Sequence, residues 1–260
     1  MEKAIIGGTG VYDVAEKVVQ KKVETKYGTV EVDVVTVEGE DIVFLARHGK
    51  EHGVPPHLVN YRANIMALKQ LGVKYIYATA AVGSLNENYP PGSVVILKDF
   101  IDFTKSRPLT FFEGEDEIVR HVDMSDPYCV NLRGKFIEAA KKEGLTVKGE
   151  AVYVCTEGPR FETASEIKAY KMLGADVVGM TNVPEVVLAK ELGMCYAAVG
   201  IITNWATGLI AASSGPVSLR EITSAIEINK EKVIRTFIRV FTEETLDQEH
   251  CNCANSVIEL

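Results

Sequence analysis

Short apolar runs alternate with longer segments of helical period along most of the chain. Residues 3–6, 42–46, 74–81, 94–101, 151–155, 176–180 and 194–203 are compact stretches rich in Val, Ile and Ala, and they predict strands. Residues 194–203 carry hardly a charge, as expected of a strand covered on both faces. Between these runs, apolar positions recur at helical spacing over 59–71, 126–143, 163–173 and 184–192, and Gly72, Gly144, Gly174 and Gly193 follow as stop signals. Pro184 fits the first turn of its helix. Thr163 with Glu166 and Ser218 with Glu221 have capping-box spacing, and Leu219, Ile222, Ile226, Val233, Phe237 and Phe241 form the stripe of a long amphipathic helix. Residues 19–46 alternate in polarity and predict antiparallel strands around Tyr27-Gly28. Residues 102–124 are polar and irregular, and the chain after Thr242 is expected to fray. Strands separated by helices predict an α/β protein, a three-layer αβα arrangement around a mixed, largely parallel central sheet.

Composition narrows the function classes. The 260 residues, nearly half of them hydrophobic, suit one domain over residues 1–241, followed by a polar tail, 242–260, holding a Cys-x-Cys pair. A formal net charge of −8 argues against a nucleic-acid backbone or an anionic membrane as partner. Without a long apolar run or a leader, a cytoplasmic protein is expected. Cys129, Cys155 and Cys195 lie in apolar surroundings and read as buried thiols; only Cys251 and Cys253 in the tail invite a redox or metal role.

The candidate chemistry lies where strands end, because ligands of open α/β sheets bind outside the carboxyl ends of strands. The first strand runs into Gly7-Gly8-Thr9-Gly10, whose backbone amides and Thr9 hydroxyl suit an anion, though a plain tight turn is the alternative. The loop is neither a Walker loop nor a complete dinucleotide fingerprint, since Asp13 stands at the third glycine position. The 42–46 strand delivers Arg47-His48, a forked cation and a second donor. His48, His52 and His57 lack a metal-ligand spacing, so no metal is expected there. Ser84 has no nucleophile elbow around it and reads as a turn residue. Phe161, after Gly158-Pro159, offers a ring for stacking or for the core. Met180-Thr181 and Asn204 stand at two further strand mouths.

Taken in order, Ile5-Ile6-Gly7-Gly8-Thr9-Gly10, Ala46-Arg47-His48-Gly49, Asn60-Tyr61-Arg62-Ala63-Asn64, Glu157-Gly158-Pro159-Arg160-Phe161 and Gly179-Met180-Thr181 with Val183-Pro184-Glu185 resemble the methylthioadenosine phosphorylase and purine nucleoside phosphorylase family. The resemblance spans residues 3 to about 241. It implies a nucleoside-phosphorylase-like fold, a homotrimer or a hexamer built as a dimer of trimers, and reversible phosphorolysis without metal or organic cofactor. It further implies that Thr9, Arg47, His48 and Thr181 hold phosphate with the backbone at Ala80 and Ala81. Many relatives carry Thr where Ala80 stands, so one hydroxyl contact is expected to be missing. By the same resemblance Phe161 stacks on the purine, Met180 lies under the ribose, Asn204 faces the base edge, and His121 reaches the sugar of a neighbouring subunit. Leu219, Ile222 and Thr223 match positions lining a methylthio pocket.

Members of the family acting on 6-aminopurines typically carry Asp where this chain has Asn204 and Ala206. A carboxyl group can protonate N7 and accept from a 6-amino group, whereas an amide can donate to O6 and accept from N7–H. Inosine, guanosine or 5′-methylthioinosine is therefore the expected substrate, with methylthioadenosine as the alternative. A nucleotide-dependent oxidoreductase and a non-catalytic purine-binding protein are the other classes compatible with a glycine loop in an α/β chain.

Overall fold

The computed structural model describes residues 1–7, 16–51, 53–114, 116–209 and 219–260, without the side chains of 219–226. Thr9, His52 and Ser218 therefore lie outside the described residues, as do the side chains of Leu219, Ile222 and Thr223.

An interior strand, β1 (Lys3–Gly7), pairs in parallel with β4 (Glu40–Ala46) and β5 (Tyr75–Ser84), so that Ile5 lies between Phe44 and Tyr77. The 19–46 region forms β2 (Lys17–Thr25), β3 (Gly28–Val37) and β4, an antiparallel meander that turns at Tyr27 and completes one edge. On the other side of β5 the sheet closes on itself. β5 pairs in parallel with β10 (Cys195–Trp205) and antiparallel with β9 (Val177–Gly179). β9 lies parallel to β8 (Val147–Thr156), β8 parallel to β6 (Val94–Phe103), and β6 returns antiparallel to β10. The nine-stranded sheet among the described residues is thus mixed and mostly parallel, as expected, but part of it is a ring rather than an open sheet.

Period-two alternation sends successive side chains to opposite faces and creates the layers. Ala4 and Ile6 of β1, with Tyr196 and Ala198 of β10, pack beneath α1 (Tyr61–Gln70) and α4 (Asn182–Glu191). Ile5, Tyr77 and Ala197 face α2 (Val130–Lys142) and α5 (Leu219–Glu243), where Tyr77 stacks on Phe237 at 4.5 Å between centroids. α3 (Ala164–Met172) covers the β8–β9 side and starts with the expected capping box between Thr163 and Glu166. The Asn60 side chain accepts from the Ala63 amide at 3.1 Å, which starts α1 two residues later than periodicity predicts. Ser84 donates to the Asn86 carbonyl at 2.8 Å, as a turn residue does.

The stretch 102–124 is irregular except for β7 (Arg120–Val122), and Arg107 anchors it. This buried guanidinium donates to the carbonyls of Val183, Thr156 and Glu157 at 2.6, 3.2 and 2.8 Å, joining three loops. The expected fraying after Thr242 is corrected. The tail returns to the core, where Gln248 donates to the Gly193 carbonyl, Ser256 to the Lys190 carbonyl, and β11 (Val257–Glu259) pairs with β7. Backbone pairing and a buried Cys253 hold what composition alone marks as a polar terminus.

Candidate active site

A cavity of about 380 Å³ opens at the ends of β4, β9 and β10 and along the last half of β5, with Lys230 and Ile234 of α5 on its wall. The structure brings Arg47, His48, Ala80, Ala81 and Thr181 together there with Phe161, Met180, Asn204 and Ala206. His121 does not line it; this residue sits on β7, exposed, opposite Ile258 of the tail.

Arg47 is held rigidly. Its Nε and Nη2 donate to Oε2 and Oε1 of Glu185 at 2.7 and 2.6 Å, and Nη1 donates to the Thr79 carbonyl at 2.9 Å. Both side chains are buried, and Tyr196 donates a further hydrogen bond of 2.7 Å to Glu185. Burial by itself would lower the Arg47 pKa, but the charge and hydrogen bonds of Glu185 reverse this and raise it, so the guanidinium is permanently charged. Three of its five N–H groups have these partners, which leaves a fork of fixed direction at the cavity wall. His48 Nδ1 lies 2.8 Å from the Val54 carbonyl, which can only accept, so this nitrogen carries a proton.

Other wall positions are fixed by close packing. Thr181 stands at the N-cap of α4 without a side-chain cap bond, while its backbone N–H donates to the Tyr153 hydroxyl at 3.0 Å. Gly158 has φ +68°, and a Cβ there would come within 2.7 Å of Met180 Sδ; both facts demand glycine and seat the methionine. Gly7, the last described residue before the glycine loop, lies so near the cavity wall that a Cβ on it would meet Thr79 Oγ1 at 2.4 Å. The Phe161 ring is 52 % exposed, which removes the core alternative and leaves a ring face at the cavity.

At the end of β10, Thr203 donates to Asn204 Oδ1 at 2.7 Å and Asn204 Nδ2 donates to the Trp205 carbonyl at 2.9 Å. This network orients the amide and leaves one hydrogen and one lone pair for a ligand. Asn204 is paired with Gly83 of β5, whereas Arg47 bonds to Thr79 of the same strand. Four residues of strand separate the two positions by about 13 Å. The cavity therefore has a cationic end and an amide end.

The phosphorylase superfamily model matches residues 2–241. The chain belongs to this superfamily. It is 50 % identical over 241 residues to the 6-oxopurine nucleoside phosphorylase of Pyrococcus furiosus, covering 90 % of each chain. It is 46 % identical over 253 residues to the S-methyl-5′-thioadenosine phosphorylase of Pyrococcus abyssi, covering 96 % of this chain and 95 % of the other. The crystal structure of a methylthioadenosine phosphorylase from an Antarctic soil metagenomic library matches with a TM-score of 0.86 at 34 % identity, covering 98 % of this chain and 90 % of that one.

Within this phosphorylase cavity the structure adds residues that sequence reasoning missed. Glu162 is buried on the wall beside Phe161 and accepts from Thr156 Oγ1 at 2.7 Å. Its signal was weak, because an acidic residue just before a helix cap is ordinarily explained by the helix dipole. Thr79, Thr203, Thr207 and Lys230 also line the cavity. Thr79 neighbours Ala80, the position where a hydroxyl was expected to be missing, and the folded strand brings both residues to the cavity wall. Glu185, noted in sequence only as part of a motif, is the partner that fixes Arg47.

Proposed function

We propose that this superfamily member cleaves the N-glycosidic bond of 6-oxopurine nucleosides, with inorganic phosphate as the nucleophile. The products are the free base and a ribose 1-phosphate, or 5-methylthioribose 1-phosphate where the nucleoside carries a methylthio group. The observation that carries the proposal is the joint presence of Glu162 and Asn204 on the cavity wall beside Phe161. A carboxylate accepts only, so Glu162 suits the N1–H of hypoxanthine or guanine and faces a lone pair in adenine. The Asn204 amide donates to O6 and accepts from N7–H of the departing base. The curated relative named for 6-oxopurine nucleosides supports the same choice.

In this reading Arg47, His48, Thr181, Thr9 and the backbone at Ala80 and Ala81 bind phosphate, and the Thr79 hydroxyl supplies the contact that Ala80 cannot. Phe161 stacks on the purine while Met180 packs under the ribose. Phosphate attacks C1′ as the glycosidic bond lengthens, and the anion beside the developing oxocarbenium ion lowers its energy in a water-poor cavity. Charge leaving with the base spreads onto O6, where the amide hydrogen meets it. The reaction needs neither metal nor organic cofactor. His121, Leu219, Ile222 and Thr223 belong to the sugar 5′ end in this proposal, with His121 contributed from one subunit to another in a trimer or a hexamer.

The deciding experiment is a phosphate-dependent assay with inosine, methylthioinosine, adenosine and methylthioadenosine. Turnover of the 6-oxopurine pair with higher kcat/KM supports the proposal. A preference for methylthioadenosine, the substrate in the name of the Pyrococcus abyssi relative, would sink the base assignment. An oxidoreductase or a non-catalytic purine-binding protein would show no phosphate-dependent loss of nucleoside.

A further inference from the structure

Four cysteines that stand far apart in sequence meet at one point away from the cavity. Cys129 is the N-cap of α2, Cys195 opens β10, and Cys251 and Cys253 come from the returning tail. All are free thiols, and their sulfur atoms lie within 4.8 Å of one another. Cys129 and Cys195 are buried as expected, but the metal or redox reading given to the tail pair alone is corrected, because the two core thiols stand with that pair.

We propose that Cys129, Cys195, Cys251 and Cys253 form a closed four-thiolate site for a single zinc ion, which fastens the carboxyl-terminal tail to the α/β core. A tetrahedral zinc with about 2.3 Å bonds to sulfur places its ligands about 3.8 Å apart. The Cys195 and Cys251 sulfurs are 3.5 Å apart, and the whole quartet spans a volume suited to one ion. Thiolate-only donors in a tetrahedral set favour a soft d10 cation over magnesium or calcium. Four protein ligands leave no open position, so the role is structural rather than catalytic.

The surroundings match a metal–thiolate centre. Gln248 Nε2 donates to the Cys195 sulfur at 3.6 Å and, through the Gly193 carbonyl, is fixed beside it. Such a donor delocalises thiolate charge and orients the ligand. Cys129, Cys195 and Cys253 are buried, which excludes water, while half-buried Cys251 gives an ion a way in. The site joins three separate chain segments. Through the tail it also supports β11, the strand that pairs with β7 and thereby positions the backbone of His121.

The test uses the full chain purified without oxygen and without chelator. Elemental analysis should find about one zinc per chain, and cobalt(II) in its place should give the strong visible and sulfur-to-metal absorption of a tetrahedral thiolate site. Cys253→Ser should lose stoichiometric zinc, and Gln248→Leu should weaken zinc affinity about 10- to 100-fold. Chelation should lower the Tm of the wild type and leave that of Cys253→Ser unchanged. Three results would overturn the proposal: a reduced chain that takes up no zinc, zinc content indifferent to Cys253→Ser, or cysteines recovered as disulfides that bind no zinc after anaerobic reduction. If Cys253→Ser does not fold, the cobalt spectrum of the wild type decides: an octahedral, sulfur-free spectrum rejects the site.

Discussion

The Arg47 guanidinium and the Glu185 carboxylate form a two-pronged buried pair, with both N–H···O distances below 2.8 Å. Removing either partner leaves an uncompensated buried charge, which typically costs about 3–5 kcal/mol. Glu185→Ala should therefore lower stability by an amount of that order in a denaturant titration. It should also disorganise phosphate binding, although Glu185 itself is placed behind Arg47 rather than against substrate. A variant as stable as the wild type would show that the pair does not hold Arg47.

Arg47→Lys retains the charge and loses the fork. Loss of a charge-assisted contact is worth about 1.5–3 kcal/mol, so the KM for phosphate should rise by about ten- to a hundredfold. The KM for nucleoside should move far less. Equal effects on both constants would indicate a general collapse of the cavity instead of a lost phosphate ligand.

Thr79→Val keeps shape and removes the hydroxyl that packs beside Gly7. If Thr79 provides the phosphate contact absent at Ala80, the phosphate KM should rise by about ten- to a hundredfold, matching one hydrogen bond to a charged acceptor of about 1.5–3 kcal/mol. Unchanged phosphate kinetics would assign Thr79 to packing alone.

Glu162→Gln exchanges an acceptor for a group that can also donate. Facing N1, the amide loses strength against hypoxanthine and gains a partner in adenine, so the inosine-to-adenosine ratio of kcat/KM should fall by about tenfold. A ratio that stays put removes Glu162 from base recognition.

Asn204→Asp together with Ala206→Asp should move preference in the same direction by a different route. A carboxylate opposite O6 sets acceptor against acceptor, at a cost of about 1–3 kcal/mol, whereas opposite a 6-amino group it gains a hydrogen bond. Protonated, it can also serve N7. The ratio of kcat/KM for methylthioinosine over methylthioadenosine should drop by about tenfold or more. Parallel losses on both substrates would count against Asn204 as the selector.

What the sequence determined by itself is local. Period-two and helical patterns located the strands and helices because burial of one face imposes those periods residue by residue. The strand-end rule singled out Arg47, Thr181 and Asn204, since a strand carries its terminal residues to a shared mouth wherever the strand itself lies. The tertiary structure decided everything that depends on which distant segments meet. Closure of β10 against β6 as well as β5 is a matter of packing, and so is the facing of Thr79 and Glu162 toward one cavity. Arg47 finds Glu185 across 138 residues of chain, and Cys129 and Cys195 find the tail cysteines only because the tail folds back. Such contacts leave no periodic trace, because each partner satisfies its local pattern equally well with or without the other.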